Sequence, residues 1–173
     1  MRTRRAILPD VDAIYSLIAS YSGDGTLLPR SRGELCENVR DFLVAEEGGG
    51  TIVGCGALHL YGAHLTEIRS ICVDPRVKGN GAGALLVEAL LAEAEHHQVN
   101  CVCLFTRIPT FFSRFGFRQA AREELPDKIY KDCLNCPRLH ACDEIAMVRG
   151  DLPAFVAARE LSSAGPLVRL QPH

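Results

Sequence analysis

The sequence predicts a mixed α/β fold built on one β-sheet with helices packed against it. Two strand patterns, FLVAE and TIVGCGALHLY, are separated by three glycines at 48–50, which is typical of a hairpin. Further along, SICV, an apolar helical stripe over 85–94 and CVCLF follow one another. A strand, helix and strand in that order place two strands in parallel. A length of 173 residues with 47% hydrophobic content suits one domain with a single core.

The remaining elements follow from local patterns. Residues 4–7 are expected to form a short strand, and the apolar stripe over 11–21 a helix. Ser31 and Glu34 have the spacing of a capping box, so a second short helix begins there and runs to about Arg40. Later expectations are a helical turn or two around 111–115 stopped by Gly116, a last strand in DEIAMVR and a terminal helix in LPAFVAAREL. We expect one domain over 1–150, with residues 151–173 forming a helix and tail packed on it.

The strand pattern TEIRSICV, residues 66–73, carries charged as well as apolar side chains. Side chains alternate along a strand, so this one is expected to present two different sets. One face would carry Glu67, Arg69, Ile71 and Val73, and the other Ile68, Ser70 and Cys72. An acid and a base would therefore share a face.

Composition excludes several classes of partner. The formal net charge is -2, so no large basic field attracts nucleic acid or an anionic membrane surface. The amino terminus is basic but lacks the apolar core of a signal peptide, and no apolar stretch approaches the roughly 20 residues that span a bilayer. We expect a cytoplasmic protein with no nucleic-acid or membrane partner.

Cysteine is frequent, with eight residues, and its placement divides into two groups. Five lie in apolar patterns where a small thiol packs well, namely Cys36, Cys55, Cys72, Cys101 and Cys103. The others form a cluster with a histidine, Cys133, Cys136, His140 and Cys142, whose spacing allows a zinc site. Reduced packing thiols or a redox-sensitive pair are the favoured interpretation, so zinc is possible but not expected.

A glycine-dense segment, VDPRVKGNGAGALL, precedes the predicted long helix. The first N–H groups of a helix lack internal partners and carry partial positive charge, so they bind phosphate readily. Gly79, Gly81 and Gly83 would leave those groups accessible, and Lys78 would add a charge. The spacing matches neither a P-loop nor a dinucleotide-binding fingerprint, and a purely structural turn is the alternative.

This segment resembles the acetyl-coenzyme A signature of the GNAT acetyltransferases, Arg/Gln-x-x-Gly-x-Gly/Ala. Laid along the chain, Lys78 falls on the Arg/Gln position, and Gly81 and Gly83 on the two small positions. FFSRFGF, one strand later, resembles the family's second signature. The resemblance implies that the pantetheine arm lies between two splayed parallel strands, residues 71–73 and 101–104. It implies coenzyme contacts at Ile71, Cys72, Val73, Lys78, Gly79, Asn80, Gly81, Ala82, Gly83, Ala84, Phe111 and Phe112.

A narrower resemblance concerns three stretches, LLPRSRGEL, TEIRSICVDP and ELPDKIYKDCLNCPRLHACDEIAM. They are similar to bacterial N-acetylglutamate synthases, particularly short forms without the amino-acid-kinase-like domain. That likeness implies transfer of acetyl from acetyl-CoA to the α-amine of L-glutamate, the first step of arginine synthesis. The alternatives are acetylation of another small amine or amino acid such as glutamine, and an acetyl-CoA-binding sensor without turnover. GNAT domains often form dimers, so a homodimer is a possible assembly.

The chemistry of acetyl transfer assigns roles to particular residues. The substrate ammonium must lose a proton, and Glu67 is the candidate base, with a solvated carboxylate or a partner for Arg69 as the alternative. Main-chain N–H groups around Cys72 and Val73 would stabilise the oxyanion. Many GNAT members place a tyrosine in the second signature to protonate the leaving thiolate, but Phe112 stands there.

A dicarboxylate substrate requires two cationic sites, and forked guanidinium groups suit it best. The cationic candidates for binding it are Arg30, Arg69, Lys128 and Lys131, with Arg107 as a further one, and Thr106 is a candidate hydrogen-bond donor. Arg30 and Lys131 match basic residues of the synthases, and Arg69 shares a face with Glu67. Thr106 either donates a hydrogen bond to substrate or simply ends a strand. For each basic residue, a solvated surface charge is the alternative.

Overall fold

The computed structural model describes residues 1–136 and 139–152, without the side chains of Asn135 and Leu139. Its strands are β1 (Arg2–Arg5), β2 (Phe42–Glu46), β3 (Ile52–Gly62), β4 (Leu65–Val73), β5 (Cys101–Thr106), β6 (Arg118–Gln119) and β7 (Ile145–Gly150). Its α-helices are α1 (Val11–Ser22), α2 (Arg32–Glu37), α3 (Ala82–His96), α4 (Pro109–Ser113) and α5 (Pro126–Lys131). Short 3-10 turns lie between several of these elements.

The described strands form one sheet in the order β1-β2-β3-β4-β5-β7-β6. Within it β4 and β5 pair in parallel, and the other neighbouring strands pair antiparallel. Helix α3 makes the crossover from β4 to β5. The predicted mixed sheet, hairpin and crossover are therefore confirmed.

Sequence patterns missed two elements, helix α5 and the two-residue strand β6. The second helix is also shorter than expected, because α2 ends at Glu37 and a 3-10 turn, Val39–Asp41, follows it. The predicted terminal helix lies outside the described residues apart from its first residue, so it stays a prediction, as does the packing of the tail.

The core lies on both faces of the sheet. On one face, Leu86 and Leu90 of α3 pack against apolar side chains of β2 and β3 such as Leu43 and Leu58. On the opposite face, α1 packs against Val44 of β2 together with other side chains of β2, β3 and β4. Four of the five cysteines expected in the core are buried, whereas Cys36 is exposed.

A β-bulge interrupts β4 and overturns the predicted alternation of its side chains. Cys72 pairs with Cys55 and Arg69 with Ala57, so two residues of β4 stand opposite the single residue Gly56. Ser70 lies in that bulge with a left-handed φ of 52°.

The bulge changes which side chains share a face. Ile71 and Val73 pack with Ile68 on the α3 side, whereas Cys72 packs with α1. The expectation that Ile71 and Val73 share a face with Glu67 was therefore wrong, because a period of two does not survive an inserted residue.

The same region opens the sheet between its two parallel strands. Pairing of β4 with β5 is recorded at Thr66 with Val102 and at Glu67 with Cys103, and the described register stops there. Beyond Glu67 the two strands diverge, so the segment that follows faces a wedge rather than a partner strand. A splayed parallel pair is therefore confirmed, with Glu67 at its vertex. The predicted β5 segment, residues 101–104, was placed too early, because Val102 and Cys103 still pair with β4.

The described helices are too short or too polar to span a membrane.

The capping box of α2 provides a test of how firmly this helix is held. The Ser31 hydroxyl accepts from the amide of Glu34 at 3.2 Å, and the Glu34 carboxylate accepts from the amide of Ser31 at 2.7 Å. Ser31→Ala should lower the free energy of unfolding by about 1 kcal/mol, measured by urea denaturation. Ser16→Ala is the control, because the Ser16 hydroxyl bonds a carbonyl within α1 and caps no helix. Equal effects of the two substitutions would contradict the capping role.

Candidate active site

Main-chain groups of β4 face the wedge between β4 and β5. The amide of Asp74 donates to the carbonyl of Val53 at 2.7 Å, and Val73 with Gly54 is the adjacent pair in the same antiparallel register. Successive residues of such a ladder point their N–H and C=O groups alternately toward and away from the partner strand. The N–H and C=O of Val73 therefore point into the wedge. Cys72, one residue earlier, directs its amide toward β3. Of the two N–H groups expected to stabilise the oxyanion, only that of Val73 therefore faces the wedge.

Tyr21 of α1 holds the carbonyl of Val73 in place. Its hydroxyl, at the end of α1, donates to the Val73 carbonyl at 2.7 Å. Burial, with smaller contributions from Cys72 and Asp74, raises the pKa of Tyr21, so this hydroxyl keeps its proton at neutral pH. The carbonyl of Val73 is thus held in place, and the N–H of Val73 is left available in the wedge.

The glycine-dense loop presents a row of unused amides at the start of α3. Lys78 and Asn80 donate their amides to the carbonyls of Pro75 and Val77. By contrast, the amides of Gly79, Gly81, Ala82, Gly83 and Ala84 donate no hydrogen bond to any described residue. The residue capping α3 is Gly81, with a φ of 87°. This cradle of N–H groups fits a diphosphate, as the sequence predicts.

Backbone torsions divide the glycines of this loop into two kinds. The left-handed glycines are Gly79 and Gly81, and a side chain at either would enter open space. Gly83 lies inside α3, where an added Cβ would meet the Phe111 ring at 3.4 Å. The crowding at Gly83 agrees with a small residue there, and the placement of the signature with Lys78 first stays a prediction.

The two phenylalanines of the second signature have different positions. Phe111 is half-buried beside Gly83, and its ring meets that of Phe112 edge to face at 4.9 Å between centroids. Phe112 is buried in the core and contacts Phe117. Phe111 is therefore the better placed of the two to touch a ligand at the amino end of α3.

Glu67, the candidate base, lies at the vertex of the wedge inside a network of charged groups. Its side chain is only 3% exposed and pairs with the ammonium of Lys128 at 2.8 Å. The hydroxyl of Tyr61 lies 2.8 Å from its second oxygen. Lys128 also contacts Asp132 at 3.0 Å, and Arg69 lies 3.8 Å from the same carboxylate. The interpretation of Glu67 as a solvated carboxylate was therefore wrong.

Protonation states in this network follow from burial and charge. Burial and then the charge of Glu67 raise the pKa of Tyr61 far above its ordinary value. Burial alone would lower the pKa of Lys128, but the charges of Glu67 and Asp132 raise it overall. Burial would raise the pKa of Asp132, yet Lys128 and Arg69 lower it overall. At neutral pH the network therefore contains a neutral tyrosine, two cations and a charged Asp132.

The predicted substrate residues are only partly brought together. Arg69 joins Glu67 through Asp132 and Lys128. Arg30 lies 4.0 Å from Glu34, whose pKa is lowered first by hydrogen bonds from Ser31 and then by the charges of Arg30 and Arg69. Both arginines therefore lie around α2, on the same side of the sheet as Glu67.

Lys131 and Thr106 lie further from this group. The Lys131 ammonium contacts the ring nitrogen Nε2 of His59 at 2.7 Å, beside Tyr61. Thr106 is buried at the end of β5, where its hydroxyl accepts from the amide of Ile108 at 3.0 Å. That bond is the arrangement expected of a residue that ends a strand.

Comparison with known proteins identifies the family. Residues 38–119 match the acetyltransferase (GNAT) domain model. An uncharacterised N-acetyltransferase from Chlorobaculum tepidum is 42% identical over 146 residues, which is 84% of this chain and 94% of that protein. The chain belongs to the GNAT family of acetyltransferases. The predicted family, fold and enzyme class are therefore confirmed.

Two further relatives of this GNAT acetyltransferase carry more specific names. The amino-acid acetyltransferase of Mycobacterium tuberculosis is 42% identical over 118 residues, 67% of each chain. The N-acetylglutamate synthase of Neisseria gonorrhoeae, solved with coenzyme A and N-acetyl-glutamate, superposes with a TM-score of 0.76 at 27% identity. That match covers 88% of this chain and 35% of the synthase, so the larger protein has much that the match does not include. Coenzyme A in this neighbour agrees with acetyl-CoA as the co-substrate.

Sequence reasoning missed two members of the network around Glu67. Tyr61 could have been found from the β3–β4 hairpin, where His59 pairs directly with Glu67. Tyr61 is two residues further along β3, where strand alternation predicts the same face as His59. Asp132 gave no comparable signal, since it is 65 positions from Glu67 in the printed sequence and follows a helix that the pattern did not predict.

The cysteine cluster does not form a metal centre in the described part of the chain. No three His, Cys, Asp or Glu side chains within the described residues come together as metal ligands. Cys142 instead accepts a hydrogen bond from the guanidinium of Arg122 at 3.1 Å, and Cys133 and Cys136 are free thiols. The site described for this acetyltransferase is therefore built from the wedge, the cradle and the network around Glu67.

The cradle can be tested with a matched pair of glycine substitutions. Gly81→Ala should weaken coenzyme A binding about tenfold, close to 1.4 kcal/mol, because the new Cβ enters the space above the free amides and strains a left-handed residue. Gly49→Ala, in the β2–β3 turn with a φ of 85° and open space around it, imposes the same strain elsewhere. Isothermal titration calorimetry on both variants makes the comparison. Equal coenzyme affinities for the two variants would contradict the cradle.

Proposed function

We propose that this GNAT acetyltransferase moves the acetyl group of acetyl-CoA to the α-amine of L-glutamate, the reaction that would make it an N-acetylglutamate synthase of arginine synthesis. One observation carries the choice of substrate. The guanidinium groups of Arg30 and Arg69 are half-buried, with side chains 25% and 13% exposed, and lie on the Glu67 side of the sheet.

Both guanidinium groups still have donors to offer. Their contacts with carboxylates, at 4.0 Å and 3.8 Å, are too long for hydrogen bonds, and neither donates one to a described residue. Partly buried N–H groups without acceptors favour a ligand that supplies them. Two planar forks suit two carboxylates, which is the charge pattern of glutamate.

The proposed reaction uses the described groups in sequence. Glu67 accepts a proton from the substrate ammonium, directly or through water, and the nitrogen lone pair then bonds to the thioester carbon. The carbonyl oxygen takes up the negative charge, where the N–H of Val73 stabilises it. The carbon–sulfur bond then breaks, and the coenzyme thiolate leaves with its electron pair. The attacking nitrogen gives up its second proton to solvent, and solvent protonates the thiolate. No phenol is needed at position 112, because a thiol with a pKa near 8.5 is a tolerable leaving group.

Lys128 constrains how Glu67 acts as a base. Its ammonium occupies one side of the Glu67 carboxylate, at Oε1, while Tyr61 approaches Oε2. An ionised carboxylate has about four lone-pair positions, so each oxygen can accept one more hydrogen bond. The Glu67 carboxylate can therefore accept a proton from the substrate while Lys128 and Tyr61 stay in place.

Removing the charge of Glu67 tests the base. Glu67→Gln should lower kcat at least a hundredfold, because general base catalysis contributes about 10² to 10⁴ in rate, while coenzyme affinity stays within twofold. Thiol release and calorimetry measure the two quantities. Glu46→Gln is the control, since Glu46 is also a buried carboxylate paired with arginines but lies on β2. Full activity in Glu67→Gln would rule out the base, and no thiol release by the wild type with any amine would favour a sensor.

Substrate choice is tested by pairing an arginine substitution with two amino acids. Thiol release should be fastest with L-glutamate among L-glutamate, L-glutamine, other amino acids and polyamines. If Arg69 binds the side-chain carboxylate, Arg69→Gln should raise KM at least tenfold for L-glutamate but little for L-glutamine, since a charge-assisted hydrogen bond contributes about 1.5 to 3 kcal/mol. Arg118→Gln, on the exposed strand β6, is the control. A wild-type preference for glutamine or a polyamine would contradict the assignment of glutamate.

A further inference from the structure

Tyr61 stands between two carboxylates with a single proton to share. Its hydroxyl lies 2.8 Å from Glu67 Oε2 and 3.2 Å from Asp132 Oδ2. A phenol carries one hydrogen, so it can donate to only one of these oxygens at a time. The structure therefore contains two alternative hydrogen bonds that differ by a rotation of one O–H group.

The two carboxylates differ in their access to water. Glu67 is 3% exposed, whereas Asp132 is 25% exposed. Tyr61 also lines an open depression of about 470 Å³ together with Leu60 and residues of α5. A proton placed on Glu67 thus has no direct exit, but two hydrogen bonds, through the hydroxyl of Tyr61, connect it to a carboxylate that contacts solvent.

Other groups that face Glu67 offer poorer exits. His59 stands opposite it across the hairpin, but its ring nitrogens already contact Asp41 and Lys131. The thiol of Cys103 is buried, and burial raises its pKa. Lys128 contacts both carboxylates, but their charges raise its pKa and hold it as a cation, and Arg69 reaches the network only through Asp132. Among the described neighbours of Glu67, Tyr61 alone has a hydroxyl that reaches a second, more exposed carboxylate.

We propose that Tyr61 and Asp132 relay the substrate proton from Glu67 to solvent. This inference rests on the proposed role of Glu67 as the base. After Glu67 takes the proton, the Tyr61 hydroxyl turns to Asp132 and its oxygen accepts a hydrogen bond from the Glu67 carboxyl group. The Tyr61 proton passes to Asp132 as the Glu67 proton passes to Tyr61, so the phenol ends neutral and Glu67 ends charged. Asp132 then releases its proton to water, which the nearby cations of Lys128 and Arg69 favour.

The relay is tested with tyrosine and aspartate variants in the intact protein. Tyr61→Phe and Asp132→Asn should lower kcat about tenfold or more while leaving the KM for acetyl-CoA within twofold. Added imidazole, a small proton acceptor, should restore much of the lost rate in a concentration-dependent manner, because it replaces the missing path to solvent. The control is Tyr130→Phe, because Tyr130 lies in α5, two residues before Asp132, but is 73% exposed. It should keep the wild-type rate and show no response to imidazole.

A structural role for Tyr61 would give a different pattern. If the variants lost rate through disturbed packing, imidazole would restore nothing and the melting temperature would fall in parallel with kcat. Unchanged rates in both variants, or loss without rescue, would overturn the relay. The Glu67→Gln variant distinguishes a failure of the relay from a failure of the proposed base. A slow Glu67→Gln enzyme with normal Tyr61→Phe and Asp132→Asn enzymes rejects the relay alone, whereas a normal Glu67→Gln enzyme rejects the base and the relay with it.

Discussion

The N–H and C=O of Val73 point into an open wedge, because β4 and β5 stop pairing after Glu67. The other features of the site depend on this divergence of the two strands. In a regular parallel sheet those main-chain groups would form hydrogen bonds with the next strand. Here Tyr21 occupies the carbonyl and leaves the N–H free, while the chain continues into the glycine loop and α3. The wedge and the amide cradle therefore come from one continuous segment, which can hold the reactive end and the diphosphate of the same coenzyme.

Charge is concentrated at the vertex of that wedge, and its arrangement has an energetic consequence. Burying a carboxylate and an ammonium is costly unless they are paired and hydrogen-bonded. Glu67 and Lys128 satisfy this requirement, with Tyr61 and Asp132 completing the contacts. Such a network holds a carboxylate in place without solvating it, so the polarity of the site depends on these partners rather than on bulk water. The unused donors of Arg30 and Arg69 lie on the same side of the sheet, where an anionic substrate would complete them.

Sequence patterns predicted every strand but β6, the crossover helix and the glycine loop, because periodicity and turn chemistry are local properties. They failed at Ser70, since an inserted residue with a left-handed φ leaves no mark in an alternating pattern. They also did not show which glycines of the loop have positive φ, because glycine spacing alone does not determine backbone torsions. The pairing of Glu67 with Lys128 depends on a helix, α5, that brings distant residues together. Glu67 could thus be selected as a candidate from its own strand, but its partners required the structure.

The central claim is that main-chain N–H groups of β4 and of the loop before α3 bind the coenzyme. Nuclear magnetic resonance of the ¹⁵N-labelled protein, titrated with coenzyme A, tests it most directly. We predict that the amide signals of Val73, Gly81 and Gly83 move strongly and reach saturation together with one dissociation constant. If coenzyme A binds while those three signals stay in place and the largest shifts occur elsewhere, the claim is contradicted.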